Sequence, residues 1–229
     1  MTAKFSKTTR KVIGRLFPNR FPRLYSTLDD QIEVPVQVAA YRLAIEKYIQ
    51  PGDIVLDVGI GLGYGLTQMS AKASQAMGID IDQRAVIQAQ ALLSLNGKIK
   101  EIRVYDGMHI PYDDQTFDVV TCIDVIEHVP DYFGLLLEMT RVTRRVAIVS
   151  TPNRRPENTL PNGRPRNQWH LREWSFEEFD VILSRIPGSK VDWNFIIGPL
   201  SGPFQIISDL QVDTQALTPA LIRMNLPIS

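Results

Sequence analysis

Two of the three histidines in this 229-residue chain fall where other chemistry-bearing side chains recur. Asp124, Glu127 and His128 stand at i, i+3 and i+4, so a helix beginning at Asp124 would carry all three on one face. Two carboxylates and an imidazole so placed can hold a divalent cation, or let His128 act as a general base oriented by Asp124. His170, in the stretch QWHLREWSFEEF, is the further histidine that could join them. A site of Asp124, Glu127, His128 and His170 would present mixed nitrogen and oxygen ligands, which suit Mg, Mn, Fe or Zn without choosing among them. The residues alone leave structural uses open as well, His128 packing in a helix and His170 anchoring a loop. His109 reads as a surface residue.

A second constellation lies upstream, in the segment 54–65, IVLDVGIGLGYG. An apolar run carries Asp57 near its end, and glycines then stand at every second position: Gly59, Gly61, Gly63 and Gly65. A buried strand leading through a glycine turn into a helix brings backbone N–H groups close to a ligand. Dinucleotide enzymes use a related turn with glycines at relative positions 0, 2 and 5. No register here supplies that, since the third site would be Tyr64, Leu66 or Gln68.

The elements that must position these residues alternate along the chain. An amphipathic helix is expected over 34–48, with Val38, Tyr41, Ile45 and Tyr48 on its apolar face, stopped by Pro51-Gly52. Strands are expected at 54–58, 76–81, 99–105, 117–123 and 146–150, with helices at 66–74, at 83–95, and from after the fourth strand to near Arg141. Ser175 and Glu178 form a capping-box pattern that begins another helix, and two strand candidates follow near 191–197 and 204–210. This order predicts an α/β, Rossmann-like, doubly wound and mostly parallel seven-stranded sheet with helices on both faces. Residues 1–50 read as a basic arm and helix covering a substrate pocket, and 51–229 as the main domain.

Apolar content of 44% and charged content of 22% match a globular protein, and no apolar run approaches the roughly 18–20 residues of a membrane span. The single cysteine, Cys122, lies in an expected strand and reads as core; it allows no internal disulfide and points to a reducing, cytoplasmic setting. Net charge is zero but unevenly spread. Seven basic residues and no acid lie between Lys4 and Arg23, and eight arginines face one acid between Arg141 and Arg172. Such stretches are either solvated faces or contacts for an anionic partner. An acid-free N-terminus of this kind also mimics an organelle transit peptide, though no cleavage signal accompanies it.

The glycine spacing resembles motif I of the class I S-adenosylmethionine (SAM) methyltransferases. Three further features fall in the family's order: Gly78-Ile79-Asp80 closing strand two, Tyr105-Asp106-Gly107-Met108 after strand three, and PYDDQTFDVVTCIDVIEHVPD around strand four. The resemblance implies that Asp57 stabilises the methionine ammonium, that Gly59, Gly61 and Gly63 admit its backbone, and that Asp80 accepts the ribose hydroxyls. It implies that Asp106, Gly107 and Met108 hold the adenine. Asp124, Glu127, His128 and His170, with Ser150-Thr151-Pro152-Asn153 and Glu173-Trp174, further resemble the metal-dependent small-RNA 3′-terminal 2′-O-methyltransferases. The first three of those positions also resemble the ubiquinone-pathway O-methyltransferases. Two departures stand out. Ile60 replaces a small residue, and Asp124 stands where the metal-binding relatives have Glu, withdrawing the carboxylate by about one bond length. The resemblance implies O-methylation of a hydroxylated small molecule or glycan, anionic acceptors included, with RNA 3′ ends as the alternative acceptor and a non-catalytic SAM-binding protein as the remaining reading. The acceptor and the oligomeric state are not legible in the sequence.

Overall fold

The computed structural model describes residues 34–196 and 205–212; the basic arm before Val34 and the tail after Val212 lie outside the described residues. The described chain opens with helix α1 (Val34–Lys47). Strand β1 (Ile54–Val58), helix α2 (Tyr64–Lys72), strand β2 (Gln75–Asp80), helix α3 (Gln83–Leu93) and strand β3 (Ile99–Val104) follow. The second half runs through β4 (Phe117–Ile123), a 3₁₀ turn (Ile126–His128), α4 (Tyr132–Val142), β5 (Thr143–Pro152), α5 (Phe176–Leu183), β6 (Ser189–Ile196) and β7 (Gln205–Val212). The α/β, Rossmann-like architecture read from the sequence is the one observed.

The strands form one sheet in the order β3-β2-β1-β4-β5-β7-β6, parallel from β3 to β5 and antiparallel at both pairings of β7. Inner strands of a covered sheet are apolar on both faces, and β4 shows it. Val119 and Ile123 pack with Tyr41, Leu66 and Val86, whereas Val120 and Cys122 pack with Leu136, Met139 and Phe179. Cys122 is core, as read. From β1 the chain winds outward through β2 to β3, then returns to β4 on the other side of β1 and winds the opposite way. At such a reversal the connections diverge and leave a crevice beyond the carboxyl ends of the strands. Both candidate constellations leave the sheet there.

The helix expected to begin at Asp124 does not form. Asp124 takes φ 55°, a single 3₁₀ turn follows, and α4 starts only at Tyr132. Pro130 disfavours helical backbone at Val129, which is extended (φ −90°, ψ 124°), and Asp131 then caps α4 by accepting from Gly134 N–H at 2.9 Å. Helix α1 is also rotated from the face expected. Ala40 and Ala44 are fully buried beside Tyr41 and Tyr48, while Val38 and Ile45 are only half-buried, because the two alanines allow a closer seat. The capping box of Ser175 and Glu178 forms as read.

Tyr41 ties α1 to the centre of the sheet. Its hydroxyl donates to Asp57 at 3.2 Å from each carboxylate oxygen, and Thr121 Oγ1 donates to Asp57 Oδ1 at 2.7 Å. The Tyr41 ring occupies the space that a side chain at position 65 would need, so Gly65 is required by packing. Gly65→Ala is therefore expected to destabilise the fold by about 1–3 kcal/mol. Urea denaturation checks this, with a smaller penalty expected in a Tyr41→Ala background. Burial pushes the Asp57 carboxyl up to about 7, with the two hydroxyl donors partly offsetting it. A carboxyl raised in the folded state binds its proton more tightly there than in the unfolded chain, so its contribution is full below about pH 4 and is lost as pH rises to 7. Asp57→Asn should flatten that decline; denaturation midpoints at pH 5 and pH 8 measure it, and an unchanged slope would count against the assignment.

Candidate functional site

The glycine turn leaves β1 in left-handed backbone: φ is 78° at Gly59, 52° at Gly61 and 81° at Gly63. At Gly59 the turn also presses against Val125 of the loop after β4, where a side chain would run into the Val125 methyl groups. At Gly61 a side chain would meet open space, and the constraint is the backbone itself, whose N–H donates to Asp80 Oδ2 at 2.8 Å. Asp80 Oδ1 accepts from Asp82 N–H at 2.9 Å, and burial raises the carboxyl above its ordinary range. A carboxylate oxygen has two acceptor positions, so Asp80 retains capacity for ribose hydroxyls. Beyond β3, Asp106 Oδ1 accepts from the N–H groups of Met108 (2.8 Å) and His109 (2.7 Å), which hold its carboxyl low. Gly107 turns the chain at φ 83°, and Met108 is 67% exposed beside it. These three loops occupy adjacent strand ends and suit a nucleoside. Asp57 differs: it is fully buried and its oxygens face Tyr41 and Thr121.

Beyond β4, three of the four expected metal-site residues come together. Glu127, His128 and His170 each offer a ligand atom, all within 4.8 Å of one another. Glu127 Oε1 lies 3.9 Å from the Nε2 atoms of both histidines. Asp124 is not in that group; Ser150 Oγ donates to its Oδ1 at 3.3 Å, and the left-handed turn at Asp124 separates it from the 3₁₀ turn that carries the others. His170 reaches them because the loop before α5 is fastened over this turn. Leu171 N–H donates to Glu127 O at 3.0 Å, and the Arg172 guanidinium donates to the carbonyls of Val129 and Pro130 while lying over the Tyr132 ring. His109 sits elsewhere, exposed and paired with Glu138 at 2.8 Å.

Each histidine is oriented through Nδ1. His128 Nδ1 lies 2.8 Å from Trp169 O, and His170 Nδ1 lies 2.6 Å from Glu173 Oε1. A donor at Nδ1 leaves Nε2 with its lone pair. Partial desolvation lowers the His128 pKa, although the side chain is 40% exposed, and burial together with the nearby Asp124 pushes Glu127 well above the usual carboxylate range. Among the described residues, four of the six buried side-chain polar atoms that lack a hydrogen-bond partner belong to Glu127, Thr151, Asn153 and Glu173. Buried polar atoms are nearly always paired; Thr151 lies close enough to Glu127 to act as its hydrogen-bond donor, and Glu173 Oε2 keeps acceptor capacity beside His170. Thr151, Asn153 and Glu173 were not assigned roles from the sequence. Their only signal was the STPN and Glu-Trp context around them.

Residues 56–150 match a family model described as a methyltransferase domain. The chain is 34% identical over 155 residues to a probable S-adenosylmethionine-dependent methyltransferase of Mycolicibacterium smegmatis, covering 66% of this chain and 55% of that protein. It is 26% identical over 167 residues to a ubiquinone biosynthesis O-methyltransferase of Hahella chejuensis, covering 67% and 60%. The chain spans about half the length of the curated relatives it matches first. A solved SAM-dependent methyltransferase from Aquifex aeolicus shares the fold at a TM-score of 0.60 and 19% identity, over 90% of this chain and all of that one. A magnesium protoporphyrin IX methyltransferase from Synechocystis does so at 0.65 and 16%, over the same shares. With the glycine turn, the Asp80 and Asp106 loops and these matches in one order along one sheet, the chain belongs to the class I SAM-dependent methyltransferases.

Proposed function

We propose that this chain transfers the methyl group of SAM to a hydroxyl oxygen of a small molecule or glycan, with a divalent metal at Glu127, His128 and His170. The observation that supports it best is the Glu127–His128–His170 cluster at the crevice where the cofactor loops also end. Two ligands each about 2.1 Å from one ion lie at most roughly 4.2 Å apart; the 3.9 Å separations of Glu127 Oε1 from both Nε2 atoms fall inside that limit, and the full group, spread over 4.8 Å, must draw together to close on an ion. The fixed Nδ1 contacts, which leave both Nε2 atoms facing Glu127, fit the same group. Asp124, carried in this reading as a fourth ligand or as the orienting acid, would have to leave Ser150.

Bound SAM supplies a methyl carbon on a sulfonium, and the metal when bound supplies Lewis acidity that lowers the pKa of an acceptor hydroxyl. The rest falls to the chain. Gly59, Gly61 and Gly63 admit the methionine backbone, Asp80 takes the ribose, and Asp106, Gly107 and Met108 border the adenine. With Glu127, His128 and His170 all ligating, the Nε2 lone pairs are engaged and the acceptor proton passes to water; where no metal is held, His128 or His170 receives it at Nε2, directly or through water. Helix α1, seated over β1, and the residues before it serve in this reading as the substrate cover. The alternative acceptor, an RNA 3′ end, draws on the arginine-rich stretch as a phosphate contact. At least six of those eight arginines are engaged within the protein, Arg141 with Glu138, Arg144 with Asp118, Arg145 with Asp53, Arg154 with Glu178, Arg166 with Glu157 O and Arg172 with two carbonyls, which favours the smaller acceptor.

Thermal unfolding with S-adenosylhomocysteine and Mg, Mn or Zn tests the metal. At about 100 times its Kd the ion should raise Tm by roughly 5–10 °C, and His170→Ala should abolish the shift. No response to any of the three in the wild type would remove the metal and leave His128 as the base. If no metal responds and His128 is the base, methyl transfer should persist below the ordinary imidazole pKa, since desolvation lowers that of His128. A pH–rate profile whose acid limb falls at or above about 6.5 would contradict this.

A further inference from the structure

His170 is held at both ring nitrogens by side chains that no part of the reaction requires. Glu173 Oε1 lies 2.6 Å from Nδ1, and Asn167 Nδ2 lies 2.9 Å from Nε2. The orientation of the Asn167 amide is set independently, because Trp169 N–H donates to Asn167 Oδ1 at 3.0 Å. The amide NH₂ therefore faces the imidazole, and an N–H cannot face another N–H at that distance. Nε2 must carry the lone pair and Nδ1 the proton, which is where a carboxylate can accept it. Two contacts from different residues select the same tautomer. Glu173 is only 5% exposed, so water does not compete for this bond, and its Oε2 has no partner among the described residues.

We propose that Glu173 is the positioning residue that fixes His170 as its Nδ1–H tautomer, and that Asn167 is a displaceable cap on Nε2 that gives way to a divalent cation. The second half rests on the metal reading above; the first does not. Nε2 has one lone pair, so it cannot accept the Asn167 N–H and ligate a metal together. Glu173 and Asn167 should then act on the site with opposite signs. An outer carboxylate that orients a ligating histidine is worth about 10–100-fold in metal affinity, so Glu173→Gln should weaken binding at least tenfold. Asn167→Ala removes a competing neutral hydrogen bond and should tighten binding about fivefold.

The test pairs two measurements on the full chain. Long-range ¹H–¹⁵N correlation spectra report the tautomers of the three imidazoles, with His170 assigned by its loss in His170→Ala. Wild type should show His170 protonated at Nδ1, and Glu173→Gln a mixture; an Nε2–H tautomer in wild type, or an unchanged spectrum in Glu173→Gln, overturns the positioning role. Zinc or manganese titration by calorimetry should place Glu173→Gln weaker and Asn167→Ala tighter than wild type. Equal affinities in wild type and Asn167→Ala overturn the cap. A wild type that binds neither metal overturns the metal reading and the cap with it, while the Nδ1–H spectrum would still support Glu173. Asn167 lies on a partly exposed loop, so its variant remains informative should Glu173→Gln fold poorly.

Discussion

The reversal of the chain between β1 and β4 is the constraint from which the rest of the molecule follows. It forces two loops to leave neighbouring strand ends in opposite directions, and they touch where Gly59 meets Val125. That contact leaves no room for a side chain on the cofactor loop, and it sets the acceptor loop directly against it. Beneath the crevice, Asp57 ties the same two strands and α1 through Thr121 and Tyr41. A methyl group and its acceptor must lie within bonding reach and in line. In the proposed reading the loops that would carry donor and acceptor are the two that touch at Gly59 and Val125.

Electrostatically the crevice is unusual in the kind of burial it tolerates. Asp80, Glu127 and Glu173 are nearly inaccessible, and burial raises the first two above their ordinary range. Elsewhere in the chain, carboxylates of comparable position are matched by arginine, as Glu138 is by Arg141 and Asp53 by Arg145. Among the described residues no arginine pairs with Asp80, Glu127 or Glu173; Asp80 is met by the N–H groups of Gly61 and Asp82, Glu173 by His170 and Glu127 by Thr151. A buried carboxylate without a cation beside it holds its proton more tightly, which is the direction burial gives Asp80 and Glu127.

The strands, the glycine turn and the nucleoside loops were legible because they depend on short-range signals: apolar runs, glycine spacing and an acid closing each strand. Strands 54–58 and 117–123 coincide with β1 and β4 residue for residue. The stretch after β4 was misread because helical spacing at Asp124, Glu127 and His128 looked decisive, whereas Pro130 prevents a continuous helix and a left-handed Asp124 starts the turn. Glu127, His128 and His170 still converge, but through a loop anchored some forty residues away, which no local pattern encodes. The bond from Tyr41 to Asp57 is hidden for the same reason, since it joins residues sixteen apart through the packing of α1 on the sheet. Asn167 and Glu173 lie within three residues of His170, but a loop has no periodicity from which their bonds to its ring could be read.

That anchoring makes the two halves of the site unequal in construction. The cofactor loops belong to one continuous run of β–α units, each loop held by the strands it joins. The acceptor half is stitched from two segments, and its second histidine arrives on a stretch bearing exposed Arg164 and Arg166. Leu171 and Arg172 clasp that stretch to the turn at Glu127, Val129 and Pro130, and Asn167 and Glu173 then brace the His170 ring from within it. The glycine-turn side of the crevice is thus moulded by the sheet itself, whereas the side that bears the histidines hangs on one clasped loop.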